Sequence, residues 1–310
     1  MTGPGVFKRF KFAQELTMRS SVITFIVAAL FGLTAIAQPG KKVFISADME
    51  GISGISASDQ LSAAGAEYGR SRKMMADDVN AAIRGARAGG AITIVVNDSH
   101  GTMRNLRLED LDPDVRLISH SFKRAGMMEG LDESFDAAIF VGYHAKAGHP
   151  GGLFAHTGSG VVRDVRVNGT SMGEGGLNTT VAGWYGVPVV LVTGDDVAVK
   201  QVAEIATGAR TVAVKRAINP RAVELRGFKE AHADIERAAR EGVSGAKKFP
   251  PRRDASYRVE VQFQDVSIPE VAESLPGMQR PAPDTIAFTQ DTMPKAYTLI
   301  RLLYRYINPD

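Results

Sequence analysis

The sequence predicts an α/β protein, a mostly parallel sheet with flanking helices in three layers, followed by a smaller C-terminal α+β unit. Three observations predict it. Short β-branched runs alternate with stretches of helical spacing, the pattern of parallel strands joined by crossover helices. Acidic and imidazole residues fall immediately after those runs, where open α/β sheets gather ligands. From about Val212 the texture becomes more charged and irregular.

The elements follow in order. Residues 42–47 form an apolar strand that ends in Asp48-Met49-Glu50-Gly51. Residues 66–87 place Met74, Met75, Val79, Ala82 and Ile83 at helical spacing, and Gly89-Gly90 ends that helix. Residues 92–96 are a β-branched strand ending in Asn97-Asp98-Ser99-His100. Residues 115–118 are a weaker strand, and residues 137–141 a stronger one that leads into Gly142-Tyr143-His144. A helix is expected over 175–185, and a buried strand over 187–193 runs into Asp195 and Asp196, either of which can cap the next helix. Beyond them, residues 220–241 read as a charged helix, 247–253 as an exposed loop, 257–263 and 285–289 as strands, and 294–307 as a closing amphipathic helix. The expected domains are an export leader at 1–37, a metal-binding catalytic domain at 38–210 and a C-terminal unit at 211–310.

The leader rests on a basic stretch ending at Arg19, an apolar run over 22–34, and Ala35-Ile36-Ala37 before Gln38. That run is shorter than the ~20 residues of a spanning helix. A periplasmic or secreted protein is therefore expected, with no membrane association after leader removal; Met18 is an alternative start. The net charge of +3 belongs to the leader. With Lys8, Arg9, Lys11, Arg19 and Glu15 set aside, 33 basic and 33 acidic residues remain, which gives nucleic acid no bulk electrostatic attraction. Cysteine is absent, which excludes disulfides, thiolate metal sites and cysteine nucleophiles.

The chemistry concentrates at the strand ends. Asp48 and Glu50 are two apart in extended chain and face one side, so their charges need a cation between them. His100 and His144 follow two further strands, and Glu174 opens a helix. Asp48, Glu50, His100, His144 and Glu174 make five candidate ligands, more than one four-coordinate zinc with an open position uses. Two metals sharing a carboxylate are expected, and mixed imidazole and carboxylate donors suit zinc, manganese or iron. His156, in a glycine-rich loop, is a candidate general acid or base, and His149 competes for that role. His120 and His232 read as solvated, and Lys146 as either exposed or a binder of a substrate carboxylate. No G-x-S-x-G elbow or phosphate loop is present. Two-metal phosphoesterase or amidase chemistry, or non-catalytic peptide binding with metal-stabilised loops, would fit the same donors.

The segments 48–54, 96–100, 128–132, 142–145 and 173–178, with 190–196, 213–215 and 275–277, resemble the D-aminopeptidase (DppA) family, peptidase family M55. The resemblance covers nearly all of the chain after the leader. It implies a two-zinc aminopeptidase that releases N-terminal D-amino acids, such as D-alanine, from short peptides. It implies that Asp48 bridges both metals, that Glu50 and His100 complete one site and His144 and Glu174 the other, and that His156 is catalytic. It also implies a homo-oligomer, a decameric ring enclosing the sites. The 144–156 loop is one residue longer than the family pattern and carries His149.

Overall fold

Seven strands form one sheet in the order β3-β2-β1-β4-β7-β8-β9. They are β1 (Lys41–Ala47), β2 (Ala91–Asp98), β3 (Arg116–Ile118), β4 (Ala137–Tyr143), β7 (Val189–Asp195), β8 (Arg210–Asn219) and β9 (Ala222–Leu225). All neighbours are parallel except β8 and β9. Five more strands form an antiparallel sheet in the order β11-β12-β10-β5-β6. These are β5 (Val162–Val167), β6 (Thr170–Ser171), β10 (Tyr257–Phe263), β11 (Gln279–Ala282) and β12 (Thr285–Gln290). The helices are α1 (Tyr68–Ala88), α2 (Glu174–Trp184), α3 (Asp196–Ile205), α4 (Phe228–Ser244), α5 (Ser267–Ala272) and α6 (Met293–Arg305). The structure is a computed structural model that describes Met1 and residues 40–307; the expected leader lies outside the described residues.

The parallel sheet is buried on both faces, as crossover helices require. Val43, Ile45 and Ala47 of β1 pack with apolar residues of α1 and α4. Phe44 points the other way, into the core shared by α2, α3, α6 and the antiparallel sheet. Chain order reverses at β1, whose neighbours are β2 on one side and β4 on the other. Ala47 is level with Asp98 on β2 and with Val141 on β4. Residues just past the ends of these three strands therefore meet at a topological switch point, where α/β sheets bind ligands.

The expected helix at 220–241 begins instead at Phe228. Before it, the side-chain oxygen of Asn219 accepts the amides of Arg221 and Ala222, both at 2.9 Å. Pro220 between them presets a turn, so β8 and β9 form a hairpin. Each sheet takes strands from both sides of residue 210: β8 completes the parallel sheet, while β5 and β6 pair within the antiparallel one. Among the described residues no helix is long and apolar enough to cross a membrane.

Candidate metal centre

The five predicted ligands converge at the carboxyl rim of β1, β2 and β4. Asp48, Glu50 and His100 offer donor atoms within 4.8 Å of one another, and so do Asp48, His144 and Glu174. Asp48 belongs to both groups. Its Oδ1 lies 3.3 Å from Nδ1 of His100, and its Oδ2 lies 3.5 Å from Nε2 of His144. His100 is 2.9 Å from Glu50, and His144 is 3.1 Å from Glu174. All five are buried.

Backbone close to glycine makes this convergence possible. The amide of Gly51 donates to the carbonyl of Gly142 at 2.7 Å, stitching the chain after β1 to the end of β4. A Cβ on Gly51 would lie 2.0 Å from the carbonyl oxygen of Tyr143. Gly142 has φ of 75°, a conformation that suits glycine.

Backbone carbonyls orient each imidazole. One ring nitrogen of His100 lies 2.7 Å from the Leu61 carbonyl, one of His144 2.9 Å from Ala145, and one of His156 2.8 Å from Phe154. Donation of N–H to these carbonyls turns Nδ1 of His100 and Nε2 of His144 and His156 toward the carboxylates. Metal-ligating histidines are held this way, with the far nitrogen on a fixed acceptor. His156 stacks on His144 with ring centroids 4.0 Å apart. Its Nε2 lies 3.8 Å from Glu50 and 3.9 Å from Glu174.

Burial and mutual charge perturb every member of the cluster. Burial, then the neighbouring Glu50, pushes the Asp48 carboxyl well above its usual range. Burial opposes charge on His144, but Glu174, Glu50 and Asp48 outweigh it and carry its pKa up to about 10. His100 is likewise raised, because Glu50 and Asp48 overcome its burial. Burial also opposes charge on Glu50 and Glu174, yet His100 holds the former low and His144 the latter. Asp48 Oδ2 is buried with no hydrogen-bond donor. An orphaned carboxylate oxygen between two imidazole–carboxylate pairs fits divalent metal and is costly without one.

Two buried lysines support the rim. Lys215 of β8 donates to the carbonyls of Glu50, Ile52 and Ile55 at 2.5, 3.0 and 2.8 Å. Lys123 donates to Asn97 Oδ1 and to the carbonyls of Asp98 and Ile118 at 2.8, 2.5 and 2.9 Å. Burial lowers both ammonium pKa values to about 8. Asp98 accepts the amides of Asn105 and Leu106, and Asn105 donates to the His100 carbonyl at 2.7 Å, bracing the loop after β2. Beneath the ligands, Asn178 donates to Tyr143, whose hydroxyl donates to Ser46, which shares a hydrogen bond with Ser99. Sequence reasoning missed these supports; the one available signal was Lys215, a cation directly after the apolar Val214.

Other predicted residues fall elsewhere. His149 is outside the cluster, its Nδ1 accepting the amide of Gly151 in its own loop at 3.2 Å. Lys146 is committed to Ser171 at 2.7 Å and to Asp164 at 3.5 Å. Asp195 caps α3 by accepting the Val197 and Ala198 amides, whereas Asp196 accepts the Ala217 amide. His120 is exposed, but His232 is half-buried and lies 3.0 Å from buried Asp78, not solvated as expected.

The profile of the family Peptidase_M55, D-aminopeptidase, matches residues 41–302. The chain belongs to the M55 peptidases, the D-aminopeptidase family. A D-aminopeptidase of Bacillus subtilis (strain 168) is 35% identical over 258 residues, covering 83% of this chain and 94% of that protein. A solved structure described as the Zn-dependent D-aminopeptidase DppA from Bacillus subtilis, a self-compartmentalizing protease, superposes with a TM-score of 0.82 at 33% identity. The match covers 87% of this M55 chain and 98% of the solved one. The fold is that of this relative: a mostly parallel sheet with helices and a separate antiparallel sheet.

Proposed function

We propose that this M55 metallopeptidase is exported and removes N-terminal D-amino acids, D-alanine among them, from short peptides. Two divalent cations, zinc by preference, serve the reaction. Asp48, Glu50 and His100 would hold one, and Asp48, His144 and Glu174 the other. The observation that carries the reading is Asp48, shared by two buried donor groups with one oxygen unpartnered. The zinc preference follows the mixed donor set and the Zn-dependent relative.

When bound, such a metal pair supplies Lewis acidity, which makes water more acidic and polarises a peptide carbonyl. The residues do the rest. Because release is from the N-terminus, the free amine of the peptide has to sit at the donor cluster, with the scissile carbonyl beside it. His156, its Nδ1 proton held on Phe154, keeps Nε2 open to accept a proton from the attacking water and return it to the leaving amine. Glu50 and Glu174 lie 3.8 and 3.9 Å from that nitrogen. Burial strengthens each of these interactions by excluding bulk water.

The leader at 1–37 supports a periplasmic or secreted location. The self-compartmentalizing relative supports a homo-oligomer, a decamer in the family pattern, which admits only small peptides. The test is a panel of D- and L-alanyl dipeptides and D-alanine amide, assayed with and without chelator on the mature protein. Release of D-alanine that chelator abolishes and zinc restores is the expected result. L-only turnover, or activity untouched by chelator, would overturn the reading. Cell fractionation with N-terminal sequencing tests export, with a new terminus at Gln38 expected.

A further inference from the structure

The C-terminal helix forms a wall of the metal centre that no ligand accounts for. A cleft of about 100 Å³ opens over the centre. It is lined by Asp48, Glu50 and Glu174 and also by Arg301, Tyr304 and Arg305 of α6. The two arginines differ in what they have left to offer. Arg301 is buried, and its guanidinium donates to the carbonyls of Lys123 and Arg124. Arg305 is exposed and donates to the carbonyl of Gly101 at 3.0 Å, one residue beyond His100. Among the described residues it makes no ion pair, and a guanidinium has five N–H donors. The cleft is therefore lined both by the buried donor set and by an exposed guanidinium with N–H donors to spare.

A dipeptide carries a free carboxylate that such a guanidinium can bind. Its ammonium and carboxylate ends are separated by at most about 7 Å of extended chain, with the scissile bond between them. An aminopeptidase cuts after the first residue, so the amine lies at the donor end and the free carboxylate of a dipeptide projects toward α6. Planar guanidinium forks bind carboxylates through paired N–H groups. We propose that Arg305 is a specificity residue that binds the free carboxylate of the shortest substrates, so that dipeptides are favoured over amides and over longer peptides. This rests on the peptidase reading above.

The test compares D-Ala-D-Ala with D-alanine amide, which lacks the carboxylate, in the zinc-loaded wild-type, Arg305→Gln and Arg305→Lys proteins. The Gln variant should lose roughly 10- to 100-fold in kcat/KM on the dipeptide, mainly through KM, the scale of one charged hydrogen-bonded contact. Its activity on the amide should stay within about two-fold, and the Lys variant should recover part of the dipeptide loss. Equal losses on both substrates would mean that Arg305 only braces the Gly101 loop, and no loss on either would mean that it touches nothing; both outcomes overturn the inference and leave the peptidase reading intact. Wild-type protein inactive on both substrates would overturn the two together.

Discussion

Strands β1, β4 and β7 of the parallel sheet are buried almost end to end, and their acidic residues and imidazoles crowd at or just past their carboxyl ends. Strand β10 of the antiparallel sheet instead alternates buried Tyr257, Val259, Val261 and Phe263 with exposed Arg258 and half-buried Glu260 and Gln262. Helices on both faces leave a parallel sheet no solvated side, so its polar groups collect at the rim, buried and close together. There, charge is poorly screened and strongly perturbed, which suits metal binding and proton transfer. An antiparallel sheet with one wet face disperses charge into water, where each pair contributes little. The parallel sheet carries the candidate donors, while the antiparallel one packs against α6, which lines the cleft.

Substitutions can break or sharpen that contrast. At the rim, Asp48→Asn should lower kcat/KM on a D-dipeptide on the order of 10³-fold or more, because it removes a donor common to both groups. Metal content per chain should fall with it, while the melting temperature should fall little. Near-normal turnover would remove Asp48 from the centre. In the antiparallel sheet, Phe288→Ala should show the reverse pattern. Phe288 is 2% exposed, so truncation should cost about 3–5 kcal/mol in urea unfolding while the folded fraction keeps its kcat. A lost kcat at full stability would show that the second sheet takes part in the chemistry.

Between these extremes lies Lys215, which touches backbone around the ligands rather than substrate. Lys215→Met should weaken zinc affinity about 10- to 100-fold in chelator competition, as removal of ligand-supporting groups does. Unchanged affinity would reduce Lys215 to a packing role. The smallest effect is expected behind the loop that follows Glu50. Asp78 accepts the Ser53 amide at 2.9 Å and lies 3.0 Å from His232, too poorly aligned for a full hydrogen bond. The interaction with Asp78 nonetheless raises the His232 pKa above its usual value. A raised imidazole pKa stabilises the fold fully below the unfolded value of about 6.5, and the gain is lost as pH rises through the folded pKa. His232→Gln should therefore cost less than about 1 kcal/mol near pH 6 and almost nothing near pH 10. A cost that grows with pH would reverse the sign and refute the pairing.

Strands β1, β2, β4 and β7 were legible because continuous apolar runs are a local signal. Strand β5 was not: Arg163 and Arg166 interrupt its buried Val162, Val165 and Val167, and only pairing with β10 makes it a strand. The hairpin at Asn219 was hidden for a related reason, since the charged pattern from residue 220 merges with that of the helix beginning at Phe228. The six metal and catalytic candidates were legible because each stands at a strand end, a helix start or in a glycine-rich loop. Setting His156 apart from His149 on geometry required the fold, because both occupy one glycine-rich loop and only His156 turns toward Glu50 and Glu174.

The sequence by itself determined the donor set. Carboxylates and imidazoles placed where apolar runs stop are a property of neighbouring residues and need no knowledge of which strand lies beside which. Tertiary structure alone decided the rest. It set β1 between β2 and β4, it aimed three imidazoles with the carbonyls of Leu61, Ala145 and Phe154, and it brought Lys215 to a carbonyl 165 positions away. The reason is physical: a backbone carbonyl becomes a directed acceptor only when the loop carrying it is folded and shut off from water. No pattern along the chain encodes that closure.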